Sequence, residues 1–381
     1  MKIFVFGSSI VSSYWNGAAT YYRGIYKELH RLGHQITFAE PDAYERQQHL
    51  DPGDYSFVRS IVYRPDADLH PLLEQAAQSD LIVKHSGVGV RDAELEALVP
   101  GCRRDHNAVV FWDVDAPATL ARMATDPSDP FRKLVAKYDA ILTYGGGLPV
   151  VQEYQSHGAP ACIPIYNGLD PETHFPVPPQ KEWQCDLAFV GNRLPDRERR
   201  VEELFLHAAT LVPEMRFLLG GEGWGDKSLP ANVRWIGHVP SGLHNVINCS
   251  ARMVLNINRD SMAAVGFSPP TRVFEAAGSG ACLLCDAWPG IEHFFQPGKE
   301  LLVVRSAQEI ASVLRTYTAA GARRMADEFR LRALREHTYR QRAMEVDRLL
   351  REGLLRRPAA AKSSPGSQHS GPSLEEAKAL L

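Results

Sequence analysis

Short apolar runs that end at glycine or at polar residues alternate along this chain with longer amphipathic stretches. In the first half the runs lie at positions 2–6, 35–38, 80–84, 108–112, 139–143 and 161–166. In the second half they lie at positions 185–190, 215–219, 233–236, 251–257, 281–285 and 301–304. Apolar runs of this length predict buried strands of a parallel sheet, and the amphipathic stretches predict the helices that connect them. The pattern therefore predicts the α/β class.

The alternation is interrupted once, by a segment that carries prolines at positions 171, 176, 178 and 179, as is typical of a stiff linker. With 381 residues the chain is long enough for two domains. We predict Rossmann-like domains at 1–172 and 173–335. A basic amphipathic helix is predicted from about Met325 to Leu355, with 336–355 as a separate terminal element. The stretch 356–381, rich in Ala, Ser, Pro and Gly, is predicted to be disordered.

Composition narrows the classes of function. Apolar residues make up 44% and charged residues 23% of the chain, as in soluble globular proteins. A net charge of −3 gives no general attraction to nucleic acid or to an anionic membrane, and peripheral membrane contact is left open as a separate expectation. The apolar run at the N-terminus is too short for a signal peptide, and no run approaches the roughly 20 residues that span a bilayer. The sequence therefore predicts a cytoplasmic protein.

The segment 271–286, TRVFEAAGSGACLLCD, has the pattern of a short helix, a glycine turn and a buried strand. Glu275 lies inside the helix. The loop GFSPP at 266–270 comes just before it, and its backbone amides could face an anion at the helix start. The same pattern fits an ordinary helix–turn–strand unit with Glu275 on its solvent-exposed face, and the residues alone do not separate these interpretations.

Polar or glycine residues follow several predicted strands of the first half. Because the carboxyl ends of strands in a doubly wound sheet collect at one crevice, we expect Gly7, His85, Asp115 and Gly145 to lie near one another. A histidine after a strand is also typical of a packing or capping residue. The chain lacks a GxGxxG pattern, so no dinucleotide-binding site is predicted.

The segment RVFEAAGSGACLLCD, preceded by NINRDSMAAVGFSPP and followed by WPGIEHFFQPGKELLVV, resembles the CgeB-like (spore maturation protein type) glycosyltransferases, which are glycosyltransferase family 4-like. The resemblance implies the GT-B fold, in which two Rossmann-like domains face a central cleft and the last helix crosses back to the N-terminal domain. It also implies transfer of a sugar from a nucleotide-activated donor, UDP- or dTDP-linked, to a small-molecule or glycan acceptor. No metal or other cofactor and no nucleic acid partner are expected.

The same resemblance implies a donor site in the second domain. Its predicted residues are Arg193, Arg199, Glu222, Gly237, His238, Arg259, Phe267, Ser268, Arg272 and Glu275. Arg193 resembles the phosphate-binding arginine of the family, whereas Arg199 competes with Arg200 for a second basic role. Glu275 would accept hydrogen bonds from both ribose hydroxyls, and Phe267 and Ser268 would offer backbone amides.

The acceptor side is predicted from the first domain. Its candidate residues are Trp15, Asn16, Gly17, Tyr21, His85, Asp113 and Asp115. Asp115 or His85 would act as general base in an inverting enzyme, whereas the leaving phosphate can take the proton in a retaining one. Together with Arg193 and Glu275, these two form the predicted catalytic set. Core packing explains Trp15 and Tyr21 about as well as sugar stacking does.

One position departs from the pattern of many retaining GT-B enzymes, which show two acids eight positions apart. The second acid matches Glu275, but Phe267 stands where the first would be. A retaining, metal-independent transferase is the preferred interpretation. An epimerase of nucleotide-activated sugars with the same fold and a non-catalytic protein that binds sugar nucleotides or glycans are the alternatives.

Overall fold

The computed structural model describes residues 1–14 and 16–356. The first sheet has seven parallel strands in the order β3-β2-β1-β4-β5-β6-β7. These are β1 (Lys2–Phe6), β2 (Gln35–Pro41), β3 (Arg59–Tyr63), β4 (Leu81–His85), β5 (Ala108–Asp113), β6 (Ala140–Thr143) and β7 (Cys162–Pro164). Their connecting helices are α1 (Ala19–Arg31), α2 (His70–Ala76), α3 (Asp92–Leu98), α4 (Ala116–Thr125), α5 (Phe131–Leu134) and α6 (Gly147–Ser156).

The second sheet has six parallel strands in the order β10-β9-β8-β11-β12-β13. These are β8 (Cys185–Val190), β9 (Phe217–Gly220), β10 (Val233–Trp235), β11 (Ala251–Asn256), β12 (Leu283–Asp286) and β13 (Leu302–Val304). The helices are α7 (Glu198–Val201), α8 (His207–Leu211), α9 (Ser241–Ser250), α10 (Asp260–Val265), α11 (Thr271–Ser279), α12 (Ala307–Thr316), α13 (Ala319–Glu336) and α14 (Tyr339–Arg351). A π-helical turn, Glu202–Leu206, joins α7 to α8.

Each sheet is covered by helices on both faces, and its strands divide their side chains between two apolar clusters. In β1, Ile3 and Val5 belong to one cluster, whereas Phe4 and Phe6 belong to the other. Successive side chains of a strand point to opposite faces, so a strand that is buried on both sides reads as a continuous apolar run. This confirms the predicted α/β class.

The edge strand β3 is not predicted by the apolar pattern. It pairs with β2 alone, and its residues Arg59, Ser60 and Val62 are exposed. An edge strand needs fewer apolar residues because only part of its surface is covered. The strand therefore lacks the continuous apolar run that indicates its neighbours.

The last helical stretch differs from the single helix expected from Met325 to Leu355. The structure has two helices, α13 and α14, separated at His337 and Thr338. Thr338 starts α14 with a reciprocal capping box that it forms with Gln341, which satisfies backbone donors at the new helix end.

Helix α14 lies on the N-terminal domain, so the predicted return of the last helix is confirmed. Tyr339, Val346 and Leu349 belong to the same apolar cluster as β1 and α1. Gly24 of α1 allows the close contact, since a Cβ there would lie 2.2 Å from the Tyr339 ring. The predicted domain boundary at 172–173 lies in the connection between β7 and β8, and the predicted disordered stretch lies, after residue 356, outside the described residues.

Within the described residues, no helix combines the length and the apolar character that crossing a membrane requires.

Candidate active site in the interdomain cleft

The carboxyl ends of the strands of both sheets face a cleft that holds a cavity of about 430 Å³. The first domain and the linker contribute Ser8, Asn16, Gly17, Ala18, Tyr21, Tyr22, Arg46, Gly87, Val114, Asp115, Tyr144 and Asn167 to its wall. The second domain contributes Phe189, Arg197, Asn256, Ile257, Asn258, Arg259, Met262, Pro270, Thr271 and Arg272. In open α/β sheets this is the edge at which ligands bind.

Three arginines of the second domain converge on this cavity, namely Arg197, Arg259 and Arg272. Burial lowers the pKa of Arg197 to about 10, and the neighbouring charge of Arg272 adds to this effect. The Nε atom of Arg197 has no hydrogen-bond partner, although its Nη2 donates to the carbonyl of Asn192. Buried guanidinium donors that lack partners favour binding of an anion.

Arg272 lies in the first turn of α11. Burial lowers its pKa, and the carboxylate of Glu275, one turn further along the helix, acts in the opposite direction. Among the described residues, no carboxylate oxygen lies within the 4 Å of an ion pair from Arg272. The helix starts after Pro270 without a side-chain cap, and Pro270, Thr271 and Arg272 line the cavity, so the positive end of the helix dipole lies at its wall.

Arg259 connects the two domains. Its Nη1 donates to Oδ2 of Asp115 at 3.1 Å, and its Nε donates to Oδ2 of Asp196 at 2.6 Å. Burial raises the pKa of Asp115 although the charge of Arg259 lowers it, and Oδ1 of Asp115 is buried without a hydrogen-bond partner. A carboxylate oxygen therefore remains available to a hydroxyl group in the cleft.

Asn258 adds a further polar group to the cavity. It is buried, its backbone amide donates to Asp286 at 3.0 Å, and its side-chain Nδ2 has no partner. Asp286 in turn accepts from Arg200, which turns this arginine away from the cavity towards β12. Arg197 and Asn258 thus line the cavity although the sequence pattern does not single them out.

The structure corrects two acceptor-side predictions. His85 is completely buried among aromatic rings: Tyr26 donates to its Nε2 at 2.6 Å, and its Nδ1 donates to the carbonyl of Trp112 at 3.2 Å. Burial lowers its pKa to about 3, and neither ring nitrogen faces the cleft. Asp113 is also buried, where it accepts from Ser86 at 2.7 Å and from Tyr154. Both residues hold the sheet together and do not contact the cavity.

The other acceptor-side residues lie at the cavity wall with their polar atoms largely engaged. The Asn16 amide donates to the carbonyls of Ser9 and Ser12, which fixes the loop after β1. The Tyr21 hydroxyl donates to the carbonyl of Ile165 and accepts from Trp112. Gly17 leaves open space at its Cα. Trp15 lies outside the described residues.

Five of the predicted donor-side residues do not line this cavity. Arg193 pairs with Glu198 at 2.8 Å and with Asp226 at 2.7 Å, both near the surface. Arg199 is 67% exposed and pairs with Glu203 on its own helical face. The remaining three, Glu222, Gly237 and His238, lie in the loops after β9 and β10 and do not line the cavity.

The loop at Phe267 and Ser268 forms a contact between the domains. The Phe267 amide donates to the carbonyl of Pro289 at 2.8 Å, and its carbonyl accepts from the amide of Gly146 at 2.9 Å. The Ser268 hydroxyl is buried and donates to the carbonyl of Gly266. The Phe267 amide is therefore not available to a ligand, which corrects that prediction.

Glu275 is buried, with 8% of its surface exposed, and does not line the cavity. Its carboxylate faces His174 Nε2 at 4.0 Å and His244 Nδ1 at 3.7 Å. Burial alone would raise the pKa of Glu275, but the charges of His174, Arg272 and His244 hold it below its ordinary value. Its predicted contact with a ribose remains a prediction.

Comparison with known proteins adds two findings. Residues 197–348 match a family model described as glycosyl transferase-like. The fold is similar to that of the sucrose-phosphate synthase from Thermosynechococcus elongatus, with 14% identity, a TM-score of 0.66, and coverage of 93% of this chain and 99% of that one. It is also similar to Anabaena Alr3699/HepE in complex with UDP and glucose, with 13% identity, a TM-score of 0.64, and coverage of 92% and 100%. No curated protein sequence matches the chain.

The paired parallel sheets, the cleft between them and the returning α14 are the GT-B arrangement that the resemblance implied, and the similar structures confirm it. The matched segment covers α7 to α14 and includes Arg197, Arg259 and Arg272. The chain therefore has the GT-B fold, and its residues 197–348 match a glycosyl transferase-like family model.

Proposed function

We propose that this protein transfers a sugar from a nucleotide-activated donor to a small-molecule or glycan acceptor, as a CgeB-like glycosyltransferase. The observation that carries the proposal is the pair of Arg197, just before α7, and Arg272, at the start of α11. Both side chains lie partly buried at the wall of the cleft cavity, and neither forms an ion pair among the described residues. A diphosphate would supply the missing negative charge.

The leaving nucleoside diphosphate gains charge as its bond to the sugar breaks. Two guanidinium groups and the amides of a helix start, held in place before the reaction, stabilise such charge more effectively than water does. Arg259 can join them, because it already lies at the same wall in contact with Asp115. Since the chain's own cations can carry this charge, we propose a reaction that does not require a metal ion.

The acceptor would enter from the N-terminal side of the cavity. Asp115 is the acidic candidate there, and its free Oδ1 can accept the proton of an acceptor hydroxyl or orient that hydroxyl. A diphosphate that attracts Arg259 would weaken the ion pair which now occupies Oδ2. In the retaining mechanism that we prefer, the leaving phosphate takes the proton and Asp115 positions the acceptor.

UDP-linked sugars are the first choice of donor. Anabaena Alr3699/HepE is described in complexes with UDP and with UDP-glucose, and its fold extends over 92% of this chain. A dTDP-linked donor remains the second choice. We propose a cytoplasmic location, where nucleotide-activated sugars are made.

A non-catalytic protein that binds sugar nucleotides is the alternative. Phe267 favours it, because this residue replaces the acid of many retaining relatives and packs beside Gly147 and Gly290. Hydrolysis of the donor without acceptor separates the two functions, since a pure binding protein releases no free sugar. Detectable hydrolysis that is lost in Arg272→Ala supports the transferase, because this arginine would stabilise the leaving diphosphate, whereas tight binding without turnover under any condition supports the alternative.

The first test is the thermal unfolding midpoint in the presence of UDP, dTDP, GDP or ADP. A ligand that binds only the folded state stabilises it, by about 2.7 kcal/mol at a hundred times its Kd. We expect UDP to raise the midpoint of the wild type and to raise that of Arg272→Ala much less. Arg199→Ala is the control, because this arginine is exposed and does not line the cavity, so its loss removes a charge without removing a cavity group. The proposal is wrong if no nucleotide shifts the midpoint or if both variants respond like the wild type.

A further inference from the structure

A second group of polar side chains lies apart from the cavity residues and uses three separate segments of the chain. His174 follows a turn in the linker, His244 lies in α9, and Glu275 lies in α11. One nitrogen of each histidine and the carboxylate of Glu275 all lie within 4.8 Å of one another. All three side chains are largely buried, with exposed fractions between 11% and 19%.

We propose that His174, His244 and Glu275 form a binding site for a divalent transition metal ion, with Zn²⁺ as the expected occupant. Tetrahedral Zn²⁺ with ligand bonds of about 2.0–2.1 Å places neighbouring ligand atoms about 3.4 Å apart. In the structure Nδ1 of His244 lies 3.7 Å from Oε2 of Glu275 and Nε2 of His174 lies 4.0 Å from Oε1, and one ligand atom from each residue lies within 4.8 Å of the others. Small side-chain movements are therefore sufficient to close the site around the ion.

The surroundings hold the three ligands in place. The Asn245 amide donates to the carbonyl of Thr173 at 2.9 Å and thus attaches α9 to the linker. Ser279 donates to the Asn245 side chain at 3.0 Å and attaches α11 to α9. Gly278 lets α11 approach the linker, because a Cβ there would lie 2.6 Å from the carbonyl oxygen of His174. The backbone is therefore organised before any ion binds.

The unused nitrogen of His174 also has a partner. Its Nδ1 lies 2.9 Å from the Thr173 hydroxyl, which leaves Nε2 directed at Glu275. Hydrogen bonds of this kind fix the tautomer and ring orientation of histidine ligands. Glu275 supplies the one carboxylate of the set, and the two histidines supply one ring nitrogen each. Neutral imidazole and ionised carboxylate are the forms that coordinate a metal.

Two imidazole nitrogens and one carboxylate oxygen are a donor set that suits Zn²⁺ and disfavours Mg²⁺ and Ca²⁺, which prefer oxygen ligands. A second cavity, of about 650 Å³, reaches His174 and the first residues of α9 from the solvent side. This cavity would give the ion an entry path on the His174 side of the site. The bound ion would fasten the linker to α9 and α11.

This inference does not rest on the proposed transferase function. It gives Glu275 a metal ion as partner, which differs from the ribose predicted earlier. The test of the metal site therefore substitutes the histidines and measures bound metal, and it does not measure nucleotide binding. Failure of one hypothesis therefore does not affect the other.

The test measures zinc bound by the full chain after removal of metal with a chelator and titration with Zn²⁺. We expect one equivalent per chain, with Kd raised by at least ~10–100-fold in His174→Ala and in His244→Ala, the range that even a lost supporting hydrogen bond costs. His157→Ala is the matched control, because His157 pairs with Glu153 at 3.4 Å but belongs to no three-ligand group in the described part of the chain.

Replacement of Zn²⁺ by Co²⁺ provides a second measurement, the visible absorption spectrum. An ion bound loosely at the surface would not give the spectrum expected for the proposed site. Visible absorption bands of a four-coordinate ion should appear in the wild type and in His157→Ala and should be absent from His244→Ala. Circular dichroism checks that each variant is folded, and His244→Gln replaces any variant that is not. The absence of stoichiometric zinc, or its retention in a folded double variant His174→Ala/His244→Ala, would overturn the proposal.

Discussion

Two arginines in neighbouring positions of the sequence have different surroundings. Arg197 points into the cleft with an unpartnered Nε, whereas Arg199 lies on the surface in an ion pair with Glu203. Surface ion pairs contribute little to stability, while a buried guanidinium that meets a diphosphate forms strong charge-assisted hydrogen bonds. The position of a side chain on its helix thus decides its chemistry.

We predict that Arg197→Ala lowers the affinity for UDP by about 10- to 100-fold, since a hydrogen bond to a charged group contributes about 1.5–3 kcal/mol. Isothermal titration calorimetry measures this directly. Arg199→Ala should bind like the wild type. Equal affinities of all three proteins would show that Arg197 does not contact the nucleotide.

The buried His337, between α13 and α14, should make the stability of the protein depend on pH. It is buried, with Nε2 donating to the carbonyl of Phe294 at 2.8 Å and Nδ1 accepting from Arg342 at 3.0 Å. Burial, together with the Arg342 charge, lowers its pKa to about 3 from an ordinary value of 6.5. Between these two pH values the unfolded state therefore binds more protons than the folded state. The free energy of unfolding falls as the pH falls below 6.5.

We expect His337→Gln to make the protein less sensitive to acid. Glutamine can donate to Phe294 and accept from Arg342 without titrating. Between pH 6.5 and pH 5 the free energy of unfolding should fall by about 2 kcal/mol more in the wild type than in the variant. This follows from a slope of about 1.4 kcal/mol per pH unit for one proton. Urea unfolding at pH 7 and pH 5 measures this difference, and the exposed His70→Gln serves as control. Identical pH dependence in wild type and variant would contradict the assignment.

At the scale of elements, the contact between α1 and α14 depends on one glycine. A Cβ at Gly24 would lie 2.2 Å from the Tyr339 ring, and Tyr339 is itself fully packed against Tyr21. Neither the ring nor the helix can move without opening the core.

Gly24→Ala should therefore lower the free energy of unfolding by about 1–3 kcal/mol, the usual cost of overpacking. This loss is opposite in sign to the gain that alanine normally brings in a helix. Gly101→Ala is the control, since nothing lies within 4 Å of the added Cβ. Denaturant unfolding compares the two, and an unchanged or increased stability of Gly24→Ala would refute the packing argument.

At the scale of the whole molecule, the C-terminal helix completes the N-terminal domain. Val346, Leu349 and Leu350 of α14 are buried in the cluster formed by β1, β4 and α1. The backbone of Leu169 also pairs with Thr338 at the start of α14. The N-terminal core thus consists of segments that are distant in sequence.

A chain that ends at residue 336 should lose the cooperative unfolding of its N-terminal domain, because several buried side chains of that core are removed. A chain that ends at residue 356 keeps every residue of the described core and should unfold like the full chain. Circular dichroism and calorimetry report the difference. Equal unfolding midpoints of the two truncated chains would show that α14 is not needed.

The fold could largely be predicted from the sequence because its signal is local. A strand buried on both faces must be apolar throughout, so the apolar runs indicated the sheets, and only the half-covered edge strand β3 (Arg59–Tyr63) was missed. The break at His337 and Thr338 was also missed, because a helical pattern continues on both sides of it. Helix boundaries set by a cap depend on tertiary packing as much as on the local sequence.

The sequence by itself determined the α/β class, the two halves, and the resemblance around Glu275 that led to the GT-B fold. Only the tertiary structure decided which polar side chains share a site, because that depends on helix rotation and on contacts between distant segments. It places Arg197 at the cavity wall and Arg193 and Arg199 away from it, puts His85 in the core, and brings the two histidines to Glu275. Side chains far apart in sequence meet only after the apolar runs have assembled both sheets and set the helices between them.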